Sequence, residues 1–344
     1  MALIGHLELQ QYAQALLRAG GFGAAQAGEM ADLLVWANLR GIDSHGVLRI
    51  PRYVEMLELG LLKADAAITE VHRKGAIVVL DAGKAPGASA MNRAVGEAAA
   101  LADVLGLGWC GVRDTSHAGA IGYFVRQLAE QGKIGIAMTA SKPLMSYHGA
   151  KGEALSSNPL AIGVPCADGE PIILDMSTAA VALGKIMAAK DAGRAIPTGW
   201  AVDANGADTQ DPQAAAVLLP MAGAKGSGLS LMIEVLCSLL VRNANIAPAL
   251  TGAKGGGFNG MVLAVDPAAF GAPEALSQSV VELARAIHGL EPAPGFDAVV
   301  LPGERGARTE VVRSAEGIPL PAGTAKRLAE LASRLGITVP AALA

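Results

Sequence analysis

A histidine in a turn between serine and glycine is the first feature of the chain that could carry chemistry. His45 stands between Ser44 and Gly46, and Arg49 follows about one helical turn later. An imidazole can move a proton near neutral pH, and a guanidinium can bind a carboxylate through two parallel hydrogen bonds. The spacing therefore predicts an acid/base group beside an anion-binding group. A purely structural role is the alternative, because Ser44 or Asp43 is also a typical N-cap of a helix.

A glycine-rich stretch at residues 219–229 is the second feature, and it places Lys225 directly before a long apolar segment. Free amides at the start of a helix, together with a nearby ammonium group, can hold a phosphate. The stretch lacks the GxxxxGK[ST] spacing of a P-loop. Phosphate binding and an ordinary glycine-rich turn into a core helix both fit this pattern.

A GxGxxG match occurs at Gly106–Gly111, where it resembles the dinucleotide fingerprint. That fingerprint works only when it follows a strand and opens a helix. Here an alanine-rich helical segment precedes the match and a strand-like segment follows it, and Trp109 would crowd a pyrophosphate. The order predicts a helix C-cap followed by a strand rather than a standard Rossmann site.

The elements that must position these residues alternate between helices and short strands, with Gly, Pro and Asp turns between them. The sequence predicts consecutive helices over Leu7–Leu59 and further helices at Ala88–Leu105, Ile121–Gln131, Thr178–Asp191, Gly226–Val241, Ser277–His288 and Thr324–Leu335. It predicts strands at Ala76–Asp81, Gly108–Arg113, Ile134–Thr139, and in the segments LAIGVP, PIILDMS, GWAVD and GMVLAVD, while GERG near residue 304 is predicted as a turn. This order indicates an α/β or α+β chain of the size of an enzyme.

Length and composition narrow the class of protein. The chain has 344 residues, 52% hydrophobic residues and a formal net charge of −4, which suits a globular protein of about two domains without an electrostatic field for nucleic acid. The start lacks a secretory signal pattern, and no apolar run is long enough to span a membrane. Three scattered cysteines and no CxxC or HExxH motif predict neither a metal site nor a disulfide framework. We therefore expect a cytoplasmic protein.

Six segments, taken together and in this order, resemble one family. They are RGIDSHGVLRIPRY, VRDTSHAGAIGYF, SSNPLAIGVP, ILDMSTAAVALGKI, AGAKGSGLSLMIEVL and LPGERG. The combination is similar to the malate/L-lactate dehydrogenase-type NAD(P) oxidoreductases, which include sulfolactate and ureidoglycolate dehydrogenases and reductases of piperideine- and pyrroline-2-carboxylate. The resemblance runs from about Leu7 to Pro321.

The resemblance implies a fold and an assembly. It implies a mixed α+β, non-Rossmann fold with a mixed, largely antiparallel sheet and helical N- and C-terminal parts. Residues 121–289 would form the dinucleotide-binding domain, and 1–120 plus 290–344 would form a discontinuous helical part on the substrate side. The family's active site lies near the interface of a homodimer, and its partners are small carboxylate substrates rather than nucleic acid or a membrane.

The resemblance also gives the opening turn a role. It makes His45 the proton-transfer group, with Ser44 hydrogen-bonded beside it, and it makes Arg49 the residue that binds the substrate carboxylate. His117 is a second candidate, both for proton transfer and for contact with the cofactor. Which of the two histidines is the acid/base group stays open at this point.

Further site residues follow only from the resemblance. Asn158 and His148 would lie on the substrate side, where Asn158 could equally be a turn residue. The residues implied to contact NAD or NADP are His117, Gly119, Ser141, Asp175, Met176, Ser177, Lys225, Gly303, Glu304 and Arg305. Asp175 could instead cap a helix, and Glu304 with Arg305 could be a solvated pair.

The function implied is hydride transfer between a nicotinamide and C2 of a small 2-hydroxy or 2-oxo acid, such as malate, lactate or ureidoglycolate. Reduction of a cyclic imine at the same site is the close alternative. A non-catalytic dinucleotide-binding dimer is a remote one, since such a protein would be expected to lose residues such as His45 and Arg49.

Overall fold

Helices and short strands alternate along the chain. The computed structural model describes residues 2–167, 169–191 and 193–343. Within these ranges, no helix is long and apolar enough to cross a membrane. The helices are α1 (His6–Ala19), α2 (Ala24–Leu39), α3 (Ile50–Glu58), α4 (Gly87–Leu105), α5 (Gly122–Glu130), α6 (Leu183–Asp191), α7 (Ala224–Glu234), α8 (Ile246–Leu250), α9 (Pro273–His288), α10 (Glu304–Glu316) and α11 (Ala322–Leu335). The strands are β1 (Ala2–Ile4), β2 (Thr69–Lys74), β3 (Ile77–Asp81), β4 (Leu107–Thr115), β5 (Ile134–Ala140), β6 (Leu160–Val164), β7 (Ile172–Met176), β8 (Ala201–Val202), β9 (Val217–Leu218), β10 (Phe258–Val265) and β11 (Ile318–Leu320).

A seven-stranded sheet carries the architecture, with the strand order β2-β3-β4-β10-β5-β6-β7. The β3–β4 pair is parallel. The other pairs in the sheet are antiparallel. The expectation of a mixed, largely antiparallel sheet is therefore confirmed, and with it the α/β, mixed α+β fold class.

The GxGxxG match lies at a helix end, as the order of elements predicts. Gly106 terminates α4 in the left-handed conformation, with φ at 78°. The next residue, Leu107, begins β4. A left-handed glycine after the last helical residue is the common C-cap, so these glycines do not open a helix toward a pyrophosphate.

Several predicted boundaries are wrong. The helix expected from Thr178 begins only at Leu183, and the strand expected in GWAVD is limited to Ala201–Val202. Strand β2 was not predicted, because its six residues are all exposed and show no apolar alternation. The turn expected at GERG is wrong as well, since Glu304 begins the helix α10, which has no buried residue to give it an apolar face.

Small residues allow α4 to lie unusually close to the sheet. The buried face of this helix includes Ala94 and Ala98, which are both fully buried. A Cβ on Gly108 of β4 would lie 2.0 Å from the carbonyl oxygen of Ala98, so only glycine fits there. The alanine and glycine content therefore reflects a close helix-on-sheet core.

The seven-stranded sheet takes strands from both sides of residue 120. Strand β4, which ends at Thr115, pairs with β10, which begins at Phe258. The sheet itself therefore has no break at residue 120. The division into 1–120 plus 290–344 and 121–289 stays a prediction.

A buried carboxylate organises the chain after α7. Helix α7 continues into a π-helical turn at Val235–Leu239, and Glu234 at their junction is only 3% exposed. Its carboxylate accepts hydrogen bonds from the amides of Asn245 and Ile246, at 2.9 and 3.1 Å, and from the hydroxyl of Ser238 at 2.7 Å. The carboxylate thus caps α8 and fixes the loop between the two helices.

We predict that Glu234→Ala destabilises the protein strongly, because the substitution leaves three buried donors without an acceptor. The expected loss in the free energy of unfolding is about 2–4 kcal/mol. Urea denaturation followed by circular dichroism measures it. The exposed Glu282→Ala on α9 is the matched control, with an expected change within about 0.5 kcal/mol. Equal stability of both variants would contradict the capping role of Glu234.

Candidate active site

The turn that carries His45 is shaped by Asn38 at the end of α2. Residues Asp43–His45 form a short 3-10 turn. The Asn38 side chain donates to the Asp43 carboxylate at 2.6 Å and accepts from the Val47 amide at 2.8 Å. A Cβ on Gly46 would lie 2.1 Å from the Asn38 oxygen, so any larger residue there would displace the Asn38 side chain from its contacts with the turn. The flanking residues of His45 therefore have a structural reason for their types.

An arginine from α10 completes this arrangement. Arg313 donates to both oxygens of Asp43, at 2.7 and 3.1 Å, and also to the Asn38 carbonyl. Nearby, the buried Arg40 donates to Glu310 and to the Gly303 carbonyl, both at 2.8 Å. The contacts of Arg313 and Arg40 therefore connect α10 with the end of α2 and stabilise the turn Asp43–His45.

The two candidate histidines lie together. The rings of His45 and His117 are stacked, with their centroids 5.5 Å apart and their planes 20° from parallel. Ser44 Oγ lies 2.9 Å from His45 Nδ1. On His117, Nδ1 lies 2.8 Å from the Tyr53 hydroxyl and accepts from the Gly119 amide at 3.3 Å. Because the amide can only donate, Nδ1 of His117 carries a lone pair, and Tyr53 donates to it too. The ring proton is then on Nε2.

Both imidazoles are neutral at pH 7. Burial, followed by the positive charge of Arg49, lowers the pKa of His45 to about 4. Burial, followed by His45 and Arg49, lowers the pKa of His117 to about 3. Burial also raises the pKa of the Tyr53 hydroxyl, which therefore stays a hydrogen-bond donor.

A cavity of about 750 Å³ is lined by Arg49, Tyr53, His117 and Phe258, so His117 is the histidine of the pair that borders it. The Nε of Arg49 donates to the Ser44 carbonyl at 2.8 Å, which orients the guanidinium and leaves its terminal nitrogens for a ligand. The edge of Phe258 packs against His117, with ring centroids 5.9 Å apart. The other charged residues on the cavity wall are Arg52, Lys84, Arg113, Lys142, Arg242, Lys254, Asp81 and Asp114.

A second cavity, of about 590 Å³, contains three of the residues expected to contact the cofactor: Asp175, Gly303 and Arg305. The Asp175 carboxylate accepts from the Gly122 amide at 2.8 Å. Desolvation by the neighbouring protein atoms raises the pKa of the Asp175 carboxyl to about 6. A carboxylate that accepts hydroxyls beside an arginine suits the ribose and phosphates of a dinucleotide, so this donor set fits the expected cofactor.

Residues from two segments of the chain lie near both cavities. His117 lines the first cavity, and Gly122 holds Asp175 of the second. On the other side, Gly41 and Ile42 line the second cavity immediately before Ser44. The segments that carry His45 and His117 therefore contribute to the surroundings of both cavities.

Other expected cofactor and substrate residues lie in a polar core beneath α7. Ser141 Oγ lies 2.7 Å from Ser156 Oγ. Asn158 is fully buried, and its amide donates to the Ser230 carbonyl at 2.9 Å. Its oxygen has no partner among the described residues. The structure thus gives Asn158 a structural contact with α7, and its substrate role stays a prediction.

Residues expected around the end of β7 and the start of α7 also have local contacts. Met176 ends β7, and the Ser177 hydroxyl donates to the Ser157 carbonyl at 3.2 Å. The backbone amide of His148 donates to Ser227 Oγ at 2.9 Å, and Lys225 is exposed in the first turn of α7. Neither His148 nor Lys225 lines the two cavities described above.

Glu304 and its neighbour Arg305 contact different parts of the structure. Its carboxylate lies 2.5 Å from Nε2 of His288, which ends α9. Arg305 instead lines the cavity that contains Asp175. A cofactor role for Glu304 therefore stays a prediction.

The sequence interpretation missed four residues that build the site: Asn38, Tyr53, Phe258 and Arg313. Tyr53 was detectable, because it follows Arg49 by four residues and so lies on the same side of the helix that begins there. The other three contact the site from distant parts of the chain, and no local pattern indicates them.

Comparison with known proteins agrees with the motifs. The family model for malate/L-lactate dehydrogenase matches residues 4–329. Ureidoglycolate dehydrogenase (NAD(+)) of Escherichia coli O157:H7 is 33% identical over 316 residues, which cover 91% of this chain and 90% of that protein.

Solved structures give the same result. Sulfolactate dehydrogenase from Methanocaldococcus jannaschii superposes with a TM-score of 0.90 at 31% identity and covers 98% of each chain. The delta1-piperideine-2-carboxylate reductase from Pseudomonas syringae pvar. tomato superposes with a TM-score of 0.85 at 30% identity, over 96% of this chain and all of that one. The resemblance drawn from the six motifs is thus confirmed, and the chain belongs to the malate/L-lactate dehydrogenase family.

Proposed function

We propose that this chain is an NAD(P)-dependent oxidoreductase that interconverts a small 2-hydroxy acid and its 2-oxo acid. The observation that carries the proposal is that His117 and the oriented guanidinium of Arg49 line one cavity, with the ring of His45 stacked on that of His117. The family and the names of its dehydrogenase relatives support the same class of reaction.

Each residue of the site has a distinct task in this proposal. Arg49 binds the C1 carboxylate through its terminal nitrogens, which fixes C2 in the cavity. His117 carries its ring proton on Nε2, so it donates a hydrogen bond to the oxygen on C2. In the tautomer in which His45 donates a hydrogen bond from Nδ1–H to Ser44 Oγ, its Nε2 lone pair is the base that takes the hydroxyl proton during oxidation.

The cofactor would be held mainly by the second cavity. Asp175 would accept ribose hydroxyls there, and Arg305 with the start of α10 would bind phosphate. When bound, NAD or NADP supplies the hydride acceptor or donor for C2. His117, which lines the first cavity, would contact it together with Gly119. Further proposed contacts are Ser141, Met176, Ser177 and Lys225.

Reduction of a cyclic imine is the alternative at the same site. The likeness to the Pseudomonas syringae reductase favours it, since Arg49 could bind a ring carboxylate in the same way. The cavity wall, however, presents more cations than apolar side chains to a ring. We therefore place the hydroxy acid first.

We propose further that the protein acts in the cytoplasm as a homodimer, with the active site near the interface. All three cysteines are free thiols, which is typical of a reducing compartment. Leu61 is 49% exposed at the rim of the first cavity, and a second copy would cover such a residue. Light scattering of the purified chain distinguishes a dimer from a monomer.

The reaction class is tested by nicotinamide absorbance with NADH or NADPH against a panel of 2-oxo acids and cyclic imines. We expect turnover of a 2-oxo acid, and Arg49→Ala should raise its KM by roughly 10- to 100-fold by removing the charged hydrogen bonds to the carboxylate. The exposed Arg18→Ala on α1 is the matched control. Turnover of cyclic imines alone would support the imine reductase and contradict the 2-hydroxy acid dehydrogenase. Cofactor binding without turnover of any compound in the panel would contradict both functions.

Glutamine should replace His117 better than His45, because glutamine can donate a hydrogen bond but cannot act as a base. His117→Gln keeps an N–H donor, so we expect kcat within about 10-fold of the parent protein. His45→Gln removes the base, so kcat should fall by about 10²- to 10⁴-fold. Steady-state kinetics of both variants measure this, with cofactor binding by fluorescence as the folding control. The reverse order of losses would assign proton transfer to His117.

The pH profile of oxidation should reflect the lowered histidine pKa. The base must be neutral, and with the pKa of His45 at about 4 the neutral form persists well below pH 6.5. We expect kcat/KM for the 2-hydroxy acid to stay level down to about pH 5.5 and to fall only at lower pH. Circular dichroism at each pH confirms that the protein is folded. A midpoint near 6.5 would show that the base has an ordinary, unshifted pKa.

A further inference from the structure

Helix α10 is attached to the rest of the protein by polar contacts. None of its thirteen residues, all of which the structure describes, is buried. Its two valines, Val311 and Val312, are 72% and 50% exposed. A surface helix usually takes its place through an apolar face that packs against the core. Hydrogen bonds and ion pairs at a few points therefore determine where α10 lies.

The start of α10 belongs to the wall of the second cavity. Arg305, Gly306 and Thr309 line this cavity together with Asp175. A segment with few buried apolar contacts opens locally at low cost, and a ligand that contacts its ordered form favours that form. A cofactor in the second cavity would therefore fix the position of α10.

The middle of α10 is held by the carboxylate of Glu310. This carboxylate accepts hydrogen bonds from Arg40, which follows α2, at 2.8 Å and from Arg126 of α5 at 3.0 Å. Arg40 lines the second cavity, and α5 begins at Gly122, whose amide donates to the Asp175 carboxylate. Glu310 therefore joins α10 to two elements that border the second cavity.

The last turn of α10 contacts the turn that carries His45. Arg313 donates to both oxygens of Asp43, which begins that turn. The three residues of the turn are all described, and none of them is buried. Ser44, the next residue, contacts both reactive groups: its hydroxyl lies 2.9 Å from Nδ1 of His45, and its carbonyl accepts from Nε of Arg49 at 2.8 Å. A displacement of Arg313 would therefore change the position of the proposed base and of the proposed anion-binding group together.

We propose that α10 couples the two cavities. A cofactor bound at the start of the helix fixes its position, and Arg313, about 12 Å further along the helix axis than Arg305, thereby fixes the turn of His45. Arg313 lines neither cavity, so it acts as a positioning residue. The inference rests on the proposed function, because it assigns the second cavity to the cofactor.

Hydrogen exchange followed by mass spectrometry tests the coupling without turnover. ADP-ribose is the probe, because it lacks the nicotinamide ring and would contact the second cavity without occupying the site of the reacting carbon. We expect saturating ADP-ribose to slow exchange of the amides of residues 45–49 by roughly 5- to 50-fold in the parent protein. Arg313→Ala should abolish this protection of the turn, while residues 304–309 at the start of α10 stay protected.

Two further variants separate the contact with Asp43 from a general effect on the helix. Arg313→Lys keeps a donor for the Asp43 carboxylate, so it should retain part of the protection. Arg308→Ala removes a 64% exposed arginine side chain of the same helix and should retain all of it. In turnover of a 2-oxo acid, Arg313→Ala should lower kcat/KM by roughly 10- to 100-fold, because a small displacement of the reacting groups is costly. The affinity for ADP-ribose should change by less than about threefold.

The outcomes distinguish the coupling from the proposed function. Equal protection of the turn in Arg313→Ala and in the parent protein overturns the coupling, since the ligand would then order the turn directly through Gly41 and Ile42, which also line the second cavity. Protection of residues 304–309 without protection of the turn in the parent overturns it as well. Failure of ADP-ribose to bind contradicts both the cofactor cavity and the coupling. Protection that depends on Arg313, without turnover of any 2-oxo acid or cyclic imine, supports the coupling and refutes the proposed reaction.

Discussion

The ion pair between Arg313 and Asp43 is the interaction on which the site depends most. Asp43 opens the turn that carries Ser44 and His45, and Arg313 reaches it from α10 with two hydrogen bonds. The same guanidinium binds the Asn38 carbonyl, and Asn38 in turn holds the Val47 amide. A turn of such short elements has little stability of its own. Its geometry is therefore set by a helix far away in sequence, which also begins at the cavity of Asp175.

Local sequence predicts much of the fold but only part of the site. The apolar periodicity of α1 and α2 and the β-branched run of β3 are local properties, and both were predictable. The spacing of His45 and Arg49 is local too, because Arg49 is the fourth residue after His45. By contrast, Arg313 lies 270 residues from Asp43, and a lone arginine on a polar helix gives no signal of such a contact.

The difference between local patterns and contacts of distant residues also explains why α10 was not predicted. Helix α10 has no buried face, so the periodicity that identifies other helices is absent, and the contacts of Arg313 and Glu310 stabilise it instead. Asn158 was expected either on the substrate side or as a turn residue; its contact with Ser230 forms only when α7 packs over it, and its substrate role stays a prediction. Tertiary contacts, which local sequence does not reveal, determine both the stability of α10 and the environment of Asn158.

Charge couples substrate binding to proton transfer in this site. The guanidinium of Arg49 is one cause of the low pKa of both His45 and His117, with burial as the larger one. A carboxylate bound to Arg49 cancels that positive charge, and an anion near the imidazoles favours their protonated form. If Arg49 binds the substrate carboxylate as proposed, binding would raise the affinity of the histidine pair for a proton at the time when the C2 hydroxyl must give one up. The arginine proposed to position the substrate would then also control when the imidazole takes that proton.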